Sequence, residues 1–267
     1  MYKPFNTLLR TLLLPLLVLI LHTQTAAAGS KHQLPEFHAR YAVLFMGMKV
    51  AEADYTLKHT DSGYRFSQQT RLYGLAKLLR KDTVDAVSLV EEKNGRLLLQ
   101  QYEYIQRGGD AREEKFSIQW NENATPVTGL VTGHYENRET RLTTKGPVWE
   151  PLSFQLPLML EADAGKKEYP YKAVIKGEMD TYHFVAGKTK KVHFAGRDYQ
   201  ALEVVRTDPR PDRDWSLHLW LIPELHNIPF LIDNYRDGKL HSRAKLEQVQ
   251  FGNGEKLVHK DDSDNEF

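Results

Sequence analysis

Alternation of apolar and polar residues with a period of two runs through most of this 267-residue chain. Tyr41, Val43 and Phe45 fall on one side of a first such segment. A period of two is typical of β-strands that bury one face. Between two alternating segments, Asn94-Gly95 predicts a tight hairpin, because both residue types tolerate the positive φ angles of a two-residue turn.

More than ten such segments follow one another with short connections. A flat sheet of that size would leave edges exposed, so we expect it to curl. The predicted fold class is all-β: a large curved antiparallel sheet that forms an open barrel or β-spiral, with two short helices at residues 74–80 and 152–162. Pro157 is expected to end or kink the second helix, and Gly187 is expected to separate two strands.

The first residues have the pattern of a secretory signal. Lys3 and Arg10 supply positive charge, residues 12–21 form an apolar run broken only by Pro15, and small residues precede Gly29. An uncleaved membrane anchor is the alternative, but the run is about half the ~20 residues that a spanning helix needs. We therefore predict a signal peptide at 1–28, a single barrel-like domain at 29–251, and a flexible acidic tail at 252–267.

Composition narrows the possible environments. The chain has no cysteine, which excludes disulfides, a thiolate metal site, a thiol nucleophile and the lipid-bearing cysteine of a lipoprotein. Removal of the signal leaves 34 basic and 35 acidic side chains, so no broad attraction for nucleic acid is expected. No second apolar run is long enough to span a membrane. These features predict a periplasmic protein.

The order of motifs resembles the bacterial family known as domain of unknown function 3108, over residues 34–251. The motifs are Arg40-Tyr41-Ala42-Val43 followed by Gly47, Gly74-Leu75, Pro151-Leu152-Ser153, the segment 182–187, and the segment 215–220 followed by Ile228-Pro229. Ile222-Pro223-Glu224 departs from the family pattern. The resemblance implies a periplasmic β-rich domain without an assigned activity, and it implies no catalytic residue.

Aromatic residues at the two ends of the domain are the candidate ligand-binding residues. They are Trp215, Trp220, Phe230 and Tyr235 near the end of the domain, and Tyr41 and Phe45 near its start. If the first and last strands pair, these side chains are expected to line one interior. The alternative is that they fill the core of the barrel, since aromatic side chains dominate such packing.

No catalytic signature stands out. The histidines lack the spacing of a zinc motif, and no Gly-x-Ser-x-Gly turn is present. Asp214, Ser216 and His218 have the residue types of a catalytic triad, but their proximity along one strand predicts that they cannot converge. Partners from distant parts of the chain stay an alternative. We expect neither a cofactor nor a metal site.

The sequence therefore favours binding over catalysis. The expected function is that of an envelope binding or maintenance protein that holds an apolar ligand, a glycan or a protein partner on a curved sheet. Two alternatives stay open: a hydrolase that acts on polymers of the cell envelope, and a structural scaffold with a completely packed interior.

Overall fold

Antiparallel strands make up most of the described chain. The structure, a computed structural model, describes residues 33–75, 77, 82–163, 165–207 and 214–259. The strands are β1 (Phe37–Phe45), β2 (Met48–Thr60), β3 (Gly63–Leu72), β4 (Thr83–Lys93), β5 (Arg96–Arg107), β6 (Arg112–Asn121), β7 (Thr128–Tyr135), β8 (Arg138–Lys145), β9 (Glu168–Ile175), β10 (Glu178–Phe194), β11 (Arg197–Thr207), β12 (Trp215–Ile222), β13 (Ile228–Arg236), β14 (Lys239–Phe251) and β15 (Lys256–Val258). Helix α1 (Gln155–Glu161) follows β8, and a short 3-10 turn, Pro223–Leu225, follows β12.

All strands belong to one 15-stranded sheet. Its order is β8-β7-β6-β5-β4-β3-β2-β1-β14-β13-β12-β11-β10-β9, with β15 added beside β14. Two meanders therefore meet where the first strand pairs with the last long one, from Phe37 opposite Phe251 to Phe45 opposite Ser242. The predicted all-β class and the curved, open antiparallel sheet are confirmed.

The hairpin between β4 and β5 and the burial along β6 follow the patterns in the sequence. Asn94 and Gly95 have φ angles of 52° and 70°, the left-handed values that a two-residue hairpin turn requires. Along β6, Glu114, Phe116 and Ile118 are buried while Lys115 and Ser117 between them are exposed. This alternation is what fixes the face that each strand turns to the core.

Within the described ranges, the two outer strands β8 and β9 do not pair to close the sheet into a barrel. The segment after β8 instead makes one bridge to β9: the Trp149 N–H donates to the Lys172 carbonyl at 2.9 Å, and the Val174 N–H donates to the Trp149 carbonyl at 2.9 Å. Lys172 Nζ also donates to the Lys145 carbonyl at 2.6 Å. We call this line of approach between β8 and β9 the seam.

The interior is filled by the chain that connects the two meanders. Val148, Leu152 and Phe154 are buried, and helix α1 is buried along most of its length. A short helix with apolar residues on every side is stable only inside a core. Phe154 stacks on Phe184 with ring centroids 5.1 Å apart, which joins the connection to β10.

Pro157 does not end or kink this helix, contrary to the sequence-based expectation. Helix α1 begins at Gln155 and continues to Glu161, so Pro157 lies in its first turn. Backbone N–H groups of the first turn have no partner within the helix, so a residue without an N–H is tolerated there. The Ser153 carbonyl, four residues before Pro157, accepts from the Leu156 N–H at 3.0 Å instead.

The remaining expectations concern where elements and segments begin and end. Gly187 does not separate two strands: β10 runs through it, and the register with β11 shifts between Ala186 and Thr189, so the glycine marks a bulge. The sheet also extends past the predicted domain end at residue 251, because β15 pairs with β14 from Gln248 opposite Val258. The tail from 260 onward, the signal at 1–28 and most of the helix predicted at 74–80 lie outside the described residues.

Within the residues that the structure describes, no helix has both the length and the apolar character needed to cross a bilayer.

Candidate functional site: a groove along the seam

Three of the six predicted ligand-binding residues belong to the core. Tyr41, Trp220 and Phe230 are 3%, 5% and 7% exposed. The Tyr41 hydroxyl donates to the Pro229 carbonyl at 2.8 Å, and Phe230 packs edge-on against Phe194 with ring centroids 5.9 Å apart. For these three residues, the structure agrees with the alternative given above, that the aromatic side chains fill the core.

The other three predicted residues lie toward one end of the sheet and are partly exposed. The Tyr235 ring lies 4.7 Å from the His218 ring, and the Arg206 guanidinium lies 5.2 Å from the Trp215 ring. Phe45 is 38% exposed and contacts the His241 ring.

The six aromatic side chains do not line one interior, contrary to the expectation. Trp220 pairs across the strands with Leu231, Leu231 with Lys245, and Lys245 with Ala42. Cross-strand partners share a face and successive residues alternate between faces. Trp220 is therefore on the face of Ala42, and Tyr41 is on the opposite face.

A groove of about 1010 Å³ runs along the seam. On one side, two rows of side chains cross β6, β7 and β8: Gln119, Leu130 and Thr143 form the first, and Asn121, Thr128 and Lys145 form the second. On the other side, Lys172 of β9 is opposite Thr181 of β10. Met179, Asp180, Trp120, Gly129 and Thr144 complete the lining.

Both polar and apolar side chains line the groove. Its polar lining residues include Gln119, Asn121, Lys145 and Lys172, and its apolar ones include Leu130 and Met179. Met179 is 36% exposed. Such a surface can donate to and accept from a ligand rich in hydroxyl groups and can also contact its carbon skeleton.

Close packing fixes the wall of the groove at Trp120. The Trp120 Nε1–H donates to the Leu99 carbonyl at 2.8 Å, which sets the orientation of the ring. Gly129 lies opposite Trp120 on β7, and a β carbon there would stand 2.8 Å from Trp120 Cζ3. Glycine at position 129 is therefore needed for the ring to lie across β7.

Two buried carboxylates hold the seam in place. Glu150 is 0% exposed; it accepts from the Ser88 hydroxyl at 2.6 Å and from the N–H groups of Leu152 and Ser153. Glu114 accepts from the N–H groups of Lys176 and Gly177, in the turn between β9 and β10. Burial raises the pKa of both carboxyl groups above the ordinary glutamate value.

A second polar cluster lies on the other meander and includes Ser216 and His218, two of the residues that the sequence analysis considered for a triad. Ser216 Oγ lies 3.0 Å from His218 Nε2, and His218 Nδ1 lies 2.8 Å from Glu203 Oε1. Ser216 and His218 touch because side chains two apart on a strand share a face. Asp214 takes no part in these contacts; the carboxylate comes from the neighbouring strand β11.

Among the described residues, no three or more histidine, aspartate or glutamate side chains are placed to hold a metal ion together.

The fold and the groove define an open, barrel-like all-β protein with a cleft along the seam, where its sheet is not closed. No protein-family model matches the chain, and no curated protein matches it.

One solved structure is similar to this chain: a beta-barrel-like protein of the domain of unknown function DUF1849 from Brucella abortus. The TM-score is 0.54 at 14% identity, covering 82% of this chain and 98% of the other. At that identity the likeness shows a shared barrel-like fold. The resemblance to domain of unknown function 3108 stays a prediction.

Proposed function

We propose that this protein is a glycan-binding protein of the bacterial envelope and that the seam groove holds the glycan. The observation that carries the proposal is the pair of side-chain rows across β6 to β8, with Lys172 and Thr181 facing them from β9 and β10. Sugars present alternating hydroxyl groups along a chain, and these rows repeat hydrogen-bonding groups along the groove.

The packing of the interior favours a glycan over an apolar ligand. Leu156 and Leu158 of α1 are 0% and 1% exposed, in the same hydrophobic cluster as strand residues of both meanders. An apolar ligand needs an apolar cavity to replace its contacts with water. The groove is open and sets threonines, amides and lysines beside its apolar side chains, so a ligand there would meet hydrogen-bonding groups as well as carbon.

The envelope location rests on the signal at residues 1–28. The proposal predicts that a signal peptidase cuts after Ala28, so the protein isolated from the periplasm begins at Gly29. Mass spectrometry of the intact protein from the periplasmic fraction measures this directly. An uncut chain, or one recovered from the cytoplasm, would contradict the proposed location in the envelope. It would not affect the proposal that the groove binds a glycan.

Calorimetric titration with oligosaccharides tests whether the groove binds a glycan. The ligands are neutral chito-oligosaccharides and anionic oligogalacturonates, which separate recognition of hydroxyl groups from attraction by Lys145 and Lys172. The double variant Gln119→Ala/Thr143→Ala removes two hydrogen-bonding groups from one row and is expected to weaken binding about tenfold.

The control is Ser117→Ala/Thr132→Ala, which changes polar residues that are paired with each other on the same strands, outside the groove. It should keep the wild-type affinity. Equal affinity of the groove variant and the wild type would place the glycan elsewhere, and absence of binding to either class of oligosaccharide would defeat the proposal.

A further inference from the structure

We propose that Ser216, His218 and Glu203 form a nucleophilic site that hydrolyses carboxylic esters with an apolar acyl group. This activity is separate from glycan binding and lies on strands β11 and β12. The chain of contacts from serine to histidine to carboxylate, 3.0 Å and 2.8 Å long, has the order that activates a serine hydroxyl.

The strands place these groups without help from a loop. Ser216 and His218 are two apart on β12 and so share one face. His218 is opposite Val205 on β11, and Trp220 is opposite Glu203, so Glu203 lies on the same face, one diagonal step from His218. Antiparallel neighbours at such diagonal positions are within reach of long side chains.

The environment fixes the histidine between its partners. The side chain of Glu203 is 12% exposed and that of His218 is 24% exposed. When Nδ1–H donates to the carboxylate, Nε2 is left to accept the Ser216 proton. The Tyr235 ring, 4.7 Å from the His218 ring, packs against the imidazole. His218 therefore has a buried orienting partner on one side and an accessible hydroxyl on the other.

Apolar side chains on the same face indicate the substrate class. Val205 is opposite His218 and Val185 is opposite Val205; Tyr235 is opposite Ser216 and Leu240 is opposite Tyr235. Val185 and Leu240 are 44% and 43% exposed. An acyl chain lying along this face would cover apolar surface that is otherwise in contact with water.

Two other charged side chains on this face have partners of their own. Asp233, opposite His218 on β13, is 1% exposed and accepts from Arg243 at 2.6 Å and 2.8 Å. The Lys190 ammonium lies 3.6 Å from the centroid of the Trp220 ring. The carboxylate that meets the imidazole is thus that of Glu203.

The reaction uses water as its second reactant. Ser216 Oγ forms a bond to the ester carbonyl carbon while its proton passes to His218 Nε2. The bond from that carbon to the alkoxy oxygen then breaks, and the alcohol leaves with the proton from His218. Water adds to the acyl-serine and gives a proton to His218; the acyl bond to Oγ breaks, Oγ regains the proton, and the carboxylic acid is released.

Ester hydrolysis and covalent labelling test the site in the folded, signal-free chain. With p-nitrophenyl butyrate, Ser216→Ala is expected to lower kcat/KM at least about 100-fold, and His218→Asn by a similar factor. A fluorophosphonate probe should attach to the peptide that contains Ser216, as mass spectrometry would show. Glu203→Gln should lower kcat with little change in KM, because Glu203 positions the histidine and touches no substrate.

Two controls separate this result from a general effect of substitution. Ser242→Ala changes a half-buried strand serine that contacts Asn234, and Ser117→Ala/Thr132→Ala changes polar residues on the other meander; both should keep the wild-type rate. Each variant is checked by its circular dichroism spectrum and unfolding midpoint. A folded Ser216→Ala protein that hydrolyses the ester at the wild-type rate, or a fluorophosphonate that leaves Ser216 unlabelled, would overturn the proposal.

Discussion

The backbone of Gly187 lies directly against the carboxylate of Glu203: a β carbon at position 187 would stand 2.6 Å from Glu203 Oε2 and 3.2 Å from its Cβ. The bulge in β10 that contains Gly187 therefore leaves room for a carboxylate on the neighbouring strand. The same carboxylate is hydrogen-bonded to His218. The bulge in β10 therefore affects the position of the His218 side chain, two strands away on β12.

Gly187→Ala should move Glu203 and break its contact with His218. Overpacking of this kind costs about 1–3 kcal/mol, so the free energy of unfolding in urea should fall by that amount. Gly165→Ala is the matched control, because the nearest atom to its added β carbon is 3.6 Å away. Equal stability of the Gly187 variant and the wild type would mean that the two groups are not in contact.

Glu150→Ala should be among the most destabilising single changes in the chain. It leaves the Leu152 and Ser153 N–H groups and the Ser88 hydroxyl without their acceptor inside the core. Loss of a buried acceptor costs about 1–3 kcal/mol for each donor left unpaired, so we expect a loss of about 3 kcal/mol or more. Chemical denaturation measures it, with the exposed Glu139→Ala expected within about 0.5 kcal/mol of the wild type.

Stability should fall in alkali partly through Tyr55. Burial raises the pKa of Tyr55 to about 12 from an ordinary value of 10. Because the folded state holds this proton more tightly than the unfolded state, the contribution is complete below pH 10 and is lost as the pH rises toward 12.

Denaturation between pH 9 and 12 measures that loss. The free energy of unfolding of Tyr55→Phe should decline less steeply than that of the wild type. Tyr73→Phe, which alters a side chain that is 46% exposed, should follow the wild-type curve. Parallel curves for all three proteins would show that Tyr55 keeps no raised pKa in the fold.

The fold class could be predicted from the sequence because the alternation of apolar and polar residues is a local pattern that repeats in strand after strand. Each strand carries its own period-two pattern, and turns such as Asn94-Gly95 carry their own conformational preference. Pairing of the first and last strands entered the sequence analysis only as a condition, and β1 does pair with β14, in the middle of the strand order.

The sites depend on contacts that no local pattern contains. Pro157 does not disrupt α1 because it lies in the first turn, and that position depends on where the helix begins. Glycine within a strand pattern is typical of a break between strands, which is why Gly187 was expected to end one. In the structure it forms a bulge, where the carboxylate of Glu203 occupies the position that a β carbon would take. The groove rows and the Ser216–His218–Glu203 contacts require the cross-strand register, to within one residue.

Solution NMR with backbone assignments tests the central claim, binding of a glycan in the seam groove, most directly. On titration with chito-oligosaccharides or oligogalacturonates, we predict saturable shift changes at the amides of residues 119–121, 128–130, 143–145, 172 and 179–181, on both sides of the seam. Shifts confined to the strands around Trp215 and Tyr235, or spectra unchanged by every glycan, would contradict it.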